Sequence, residues 1–162
     1  STFAERGLGV SKTVGDLAGP MSFALLMGIS RAFYGKFGDK INLERFMQYS
    51  AILCMISYLM IAFIPVPALG ILGCAVCGLS VGIMWPGTFS MAAASVKRGG
   101  TALFALLALA GDVGCSSGPT YVGMISGTLN DNLKMGIFAA LVFPILMIVG
   151  IKLISGLRKK NI

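Results

Sequence analysis

Histidine is absent from the 162 residues, and charge is scarce, with Asp, Glu, Lys and Arg making up 12%. Without imidazole there is no His-ligated metal, no Ser–His or Cys–His dyad and no imidazole proton relay. A soluble domain carries about 25% charged residues, so half that density leaves too little charge to solvate a globular surface. Cysteine is limited to Cys54, Cys74, Cys77 and Cys115, each in an apolar or small-residue stretch. Cys74 and Cys77 form a CxxC embedded in GCAVCGL, with no second ligand pair, and read as small helix-packing residues. The chain opens on Ser1, with no basic segment ahead of a short apolar core. That is not a signal peptide, and the start reads as that of a fragment.

Hydrophobic residues supply 56% of the chain and the mean hydropathy is +0.88, so lipid is the expected solvent. The net charge of +7 does not point to nucleic acid, because the basic residues fall in short clusters between long apolar runs. Such segregation is membrane topology rather than a phosphate-binding face. Residues 46–96 are 51 consecutive uncharged residues. As one helix they would extend about 75 Å, against roughly 30 Å of hydrocarbon, so the run crosses twice. Pro65 and Pro67 mark the turn. The expected architecture is all-α and polytopic, with five transmembrane helices near 14–34, 46–64, 68–94, 101–128 and 135–154.

Connector charges set the direction. Arg31, Lys36, Lys40 and Arg45 are assigned to the first connector, Lys97 and Arg98 to the third, and Lys152, Arg158, Lys159 and Lys160 to the tail. The second connector is uncharged and the fourth carries only Asp131 and Lys134. By the positive-inside rule the N-terminus lies outside and the C-terminus in the cytoplasm. Five spans starting outside imply a preceding helix, with residues 1–13 as the extracytoplasmic lead-in from it.

The second and fifth spans are almost uniformly bulky and apolar, as lipid-facing helices are, with Pro144 kinking the fifth. The first, third and fourth are rich in Gly and small polar residues. Gly78/Gly82, Gly114/Gly118 and Gly123/Gly127 are small-xxx-small pairs that permit close backbone approach, so these helices are expected among helices or along a cavity. Asp112 stands 11 residues after Thr101, about 16 Å along a helix and close to the midplane. A carboxylate there costs about 2.5–3.5 kcal/mol on insertion scales and is a functional candidate by default, suited to reversible protonation. It sits in GDVGCSSGP, where Gly111, Gly114, Gly118 and Pro119 are expected to weaken the helix, as at transporter substrate sites. Asp16 lies near the outer end of the first span and is a second candidate, or simply a helix-start residue. Trp85 and Thr88, beside the helix-breaking Pro86-Gly87, are candidates for stacking on and hydrogen-bonding a small polar solute.

The segment GKFGDKINLER, with Gly35, Asp39, Lys40 and Arg45, resembles the cytoplasmic signature of the major facilitator superfamily. It departs from that signature at Asn42, Leu43 and Glu44, as the copy between helices eight and nine does. The resemblance implies that the five spans are helices eight to twelve, most of the C-terminal six-helix bundle, with the N-terminal half of the transporter missing. It also implies that helices eight, ten and eleven line a central cavity while nine and twelve pack outside. The stretch Pro86-Gly-Thr-Phe-Ser90 is similar to helix ten of fucose-permease-like members, with the Thr displaced by one. Implied with it are an integral protein of a bacterial-type plasma membrane, alternating-access transport of a small solute such as a sugar, coupled to protons or ions, and a cytoplasmic gate built on Gly35, Asp39, Lys40 and Arg45. No enzyme activity, metal or cofactor is expected. Efflux of drugs or metabolites by the same fold, or a non-transporting scaffold, are the alternatives. An intramembrane aspartyl protease using Asp16 and Asp112 is disfavoured. Its Pro-Ala-Leu triplet, Pro67-Ala68-Leu69, precedes Asp112, and Leu109 stands where that family has Gly.

Overall fold

A computed structural model describes residues 12–160 except Pro65, Lys97, Arg98 and Asp131, and leaves the side chains of residues 12–16, Asp39, Pro67 and 157–160 undescribed. Among the described residues all regular structure is helical: α1 (Lys12–Phe37), a 3-10 turn (Gly38–Lys40), α2 (Leu43–Phe63), α3 (Pro67–Val81), α4 (Met84–Ser95), α5 (Gly100–Thr128), α6 (Leu133–Ala139) and α7 (Val142–Lys160). α3 with α4, and α6 with α7, are interrupted halves of single long segments.

The boundaries follow local chemistry. Asn42 caps α2, its side-chain oxygen accepting from the Arg45 amide at 3.2 Å, and Asn132 caps α6 by accepting from Lys134 N at 3.1 Å. Pro67 opens α3 at a position whose N–H has no helical partner to lose. Asn130, at φ 56°, closes α5 in the left-handed conformation that ends many helices.

Four segments are long and apolar enough to cross a membrane: Leu43–Phe63, Ala68–Ser95, Gly100–Thr128 and Leu133–Gly156. They match the expected second to fifth spans within a few residues. The expected first span, 14–34, is helical within α1 but is not among the four, its apolar run diluted by glycines, serines, Pro20 and Arg31.

α2 is the hub of the bundle, with α3, α4, α6 and α7 all packed on it. That departs from its reading as a lipid-facing helix, and the reason is a division of its surface. Met47, Ala51, Cys54, Ser57 and Ile61 form a buried stripe, while Tyr49, Ile52, Ile56, Leu59 and Phe63 form an exposed one. Both recur every three to four residues, so a mostly small-residue seam is hidden in an outwardly bulky sequence. α5 departs the other way: none of its 18-residue apolar window is buried.

α1 docks most extensively on α3, and two glycines permit it. A Cβ at Gly78 would collide with the Phe23 backbone, and one at Gly82 would lie 2.9 Å from the Met27 carbonyl and 2.8 Å from the Ser30 Cβ. Contact points advance by four residues along both helices in the same direction, so α1 and α3 run parallel, with i±4 ridges meeting. The pairs Gly114/Gly118 and Gly123/Gly127 touch nothing within 4 Å, so of the three expected small-residue pairs one is a helix contact here.

Gly78→Val is therefore expected to lower unfolding stability by about 2–3 kcal/mol through overpacking of the α1–α3 seam. Gly35→Val, at an open position, should change it by no more than about 0.5 kcal/mol. SDS titration in mixed micelles measures both. Equal effects would contradict the seam.

Candidate functional site

The segment Ala68–Ser95 is 28 residues long, and its helix is interrupted at Gly82–Ile83, halfway along. Pro86 explains the position. It has no N–H to give to the carbonyl four residues back, which is that of Gly82, and its ring crowds that carbonyl. The freed oxygen does not go unpaired: Arg31 on α1 donates its Nε–H to Gly82 O at 3.2 Å. Arg31 was expected in a cytoplasmic connector. Instead it lies within α1, six residues before the helix ends at Phe37, and it reaches the middle of the Ala68–Ser95 segment because Gly82 lets α1 approach. The second interruption is handled differently. Pro144 frees the Ala140 carbonyl, which accepts from Phe143 N at 3.1 Å, so backbone closes that gap without a side chain.

Trp85 and Thr88 lie on the first turns of α4, just past the break. With Cys54 and Tyr58 of α2, Val81 and Met84, and Phe143, Pro144 and Met147 of α7, they line a cavity of about 350 Å³. The Thr88 hydroxyl donates to the Met84 carbonyl at 2.7 Å, so its proton is committed and only its oxygen lone pairs face a solute. The Trp85 ring packs at 4.8 Å from Phe89, which stacks on Phe104 of α5 at 5.7 Å. Trp85 also covers Gly111, where any Cβ would strike the indole. These contacts make the α4–α5 junction, antiparallel and thin.

Asp112 is the residue after Gly111, but it does not enter the Trp85–Thr88 cavity. It lies exposed on α5 in a separate shallow groove with Ser116, Ser117, Thr120 and Tyr121. The helix around it is unbroken, contrary to the expectation drawn from its glycines and Pro119. Hydroxyls support the backbone there: Ser116 donates to the Asp112 carbonyl at 3.0 Å, and Thr120 to the Ser116 carbonyl at 2.8 Å. The interruption belongs to the Ala68–Ser95 segment instead, at Gly82–Ile83. Asp112 thus follows the Gly111 that Trp85 covers, while Arg31 reaches the carbonyl just before α4.

Asp16 falls in the first turns of α1, its side chain outside the described residues. Of the signature residues, Gly35 is open on α1, Asp39 occupies the 3-10 turn with its side chain undescribed, and Lys40 and Arg45 are exposed. They cluster at one end of the bundle, away from Trp85. No group of three or more His, Cys, Asp or Glu suited to a metal occurs among the described residues. Comparison with protein families, curated proteins and solved structures finds no match for the chain.

The single tryptophan makes the α4–α5 junction measurable. Gly111→Val should displace the indole and shift its emission maximum and acrylamide accessibility, whereas Gly114→Val, at an open position, should leave both unchanged. Identical spectra for wild type and Gly111→Val would contradict the contact.

Proposed function

We propose that this chain works in transmembrane movement of a small solute, as most of one half of an alternating-access transporter of the major facilitator type. In that reading five spans cross the membrane, α1 included, with the N-terminal side out and the C-terminal tail in the cytoplasm. One observation carries the proposal: a carboxylate, Asp112, stands exposed near the middle of an apolar 29-residue helix. Lipid is an unfavourable medium for that face, at a cost of about 2.5–3.5 kcal/mol. Water in a pathway, a solute, or a second helical half must cover it. The break at Gly82–Ile83 adds support, because interrupted helices at mid-membrane are where transporters hold solutes and ions. Gly35, Asp39, Lys40 and Arg45, at the basic end of α1, are proposed as the cytoplasmic gate.

The lining of the Trp85–Thr88 cavity favours an amphipathic or aromatic solute over a sugar. Tyr58, Trp85 and Phe143 offer ring faces, Met84 and Met147 adaptable thioethers, and few hydroxyls are free to bind a polyol. Drug-like or metabolite-like compounds, as efflux substrates of the same fold would be, are therefore the favoured solute class, with sugars second.

The test is Asp112→Asn in the intact transporter, reconstituted in liposomes. Uptake or extrusion should fall at least about tenfold while insertion and helix content are retained. A panel of an aromatic cation, an aromatic carboxylate and a hexose separates the solute classes. The 162-residue chain alone should give no saturable flux. Undiminished flux through a folded Asp112→Asn transporter would remove the residue from the mechanism, and saturable flux through the chain alone would remove the need for a second half.

A further inference from the structure

We propose that Arg31 is a positioning residue that replaces the helical hydrogen bond lost at Pro86, and so holds the first turn of α4, with Trp85 and Thr88, in place. The claim stands on the geometry of α1, α3 and α4. Only its bearing on a solute rests on the cavity reading above.

Four observations converge. Pro86 deletes the one N–H that a continuous helix would direct at the Gly82 carbonyl. The helix is interrupted at Gly82–Ile83. The Arg31 Nε–H donates to that same carbonyl, and glycine at 82 leaves the space for α1 to bring it there. The contrast at Pro144, where Phe143 N closes the equivalent gap, shows that a side chain from another helix is not the inevitable answer to a proline. Arginine suits this vacancy. Its Nε can be spent on a carbonyl while the two terminal nitrogens remain free. Arg31 makes no second hydrogen bond among the described residues and is itself exposed.

The two sides of the break are held unequally. α3 is wedged against α1 and α2, with Gly73 under Ile61 and Gly78 under Phe23. α4 has one buried residue, Gly87, resting on Met47, and only a narrow aromatic contact with α5. A hinge at Gly82–Ile83 therefore moves α4 rather than α3, and Arg31 sets the resting position of that motion from the rigid side.

The test is a compensation experiment on the full chain in dodecylmaltoside micelles, read by amide hydrogen exchange. Arg31→Met keeps the aliphatic stem and removes the donor. It should speed exchange at Gly87, Thr88 and Phe89 by about tenfold, the scale of a lost charge-assisted hydrogen bond, and leave Ile61 and Ala62 in α2 unchanged. Pro86→Ala restores an N–H aimed at Gly82. In that background Arg31→Met should change exchange in α4 by less than about twofold. If Arg31→Met alone does not fold, the double variant must fold and be protected for the claim to hold. Unchanged α4 exchange in Arg31→Met, a general loss of protection reaching α2, or failure of Pro86→Ala to compensate would each overturn it. None of these outcomes bears on the flux experiment with Asp112, so the two claims fail separately.

Discussion

A carbonyl without its helical donor, in the middle of an apolar segment, is the constraint around which this bundle is arranged. Gly82 is buried, and away from water an unpaired backbone group costs several kcal/mol, so the oxygen freed by Pro86 gains from an outside donor. Arg31 meets it from α1. For that to happen α1 must lie parallel to α3 at close range, which Gly78 and Gly82 permit. The same contact brings the Arg31 guanidinium to the carbonyl just before the α4 turn that carries Trp85. The helix break and the reach of Arg31 thus meet at one residue pair, Pro86 and Gly82, while Gly78 and Gly82 together permit the seam.

Around that point the bundle divides into a fixed part and an open part. α2 carries a small-residue seam that receives α3, α4, α6 and α7, and its other stripe is bulky and exposed. α5 is attached at its ends and flank: by Phe104 to Phe89, by Tyr121 to Phe143, and by Gly136 of α6 set close under Val122. The side bearing Asp112, Ser116 and Thr120 is left free. A polar stripe on an apolar helix that none of the described residues covers is the feature that the transport proposal explains most economically.

Much of the helical layout was legible in the residues. Paired prolines placed the turn before α3, 51 uncharged residues forced two crossings, and four of the five expected spans coincide with segments apolar enough to cross. Other features were hidden for physical reasons. Composition averages over a helix surface, so the buried seam of α2, spaced at 47, 51, 54, 57 and 61, disappeared behind its bulky neighbours. Charge counting assigned Arg31 to a connector because it ignores how far a helix continues. The available signal was subtler: a glycine four residues before a proline marks a carbonyl needing an outside donor, and Arg31 is the arginine inside the apolar stretch of a neighbouring helix. Glycine-rich sequence around Asp112 promised a break, yet α5 runs unbroken from Gly100 to Thr128 through Pro119. Trp85 and Thr88 stand just past the break in the Ala68–Ser95 segment, and Asp112 stands on α5. That they divide between two faces of the α4–α5 junction depends on Gly111, and no spacing rule reports it.

The central claim reduces to one interatomic distance. With Arg31 carrying 15N at Nε and Gly82 carrying 13C at its carbonyl, rotational-echo solid-state NMR on the chain in lipid bilayers measures their separation. The donor lies 3.2 Å from the oxygen, and a carbonyl bond of about 1.2 Å places the carbon about 4 Å from the nitrogen. Dephasing that fits about 4 Å is the predicted result. A separation beyond about 6 Å, with the chain folded and inserted, would mean that the Gly82 carbonyl is satisfied in some other way and that Arg31 does not organise the bundle.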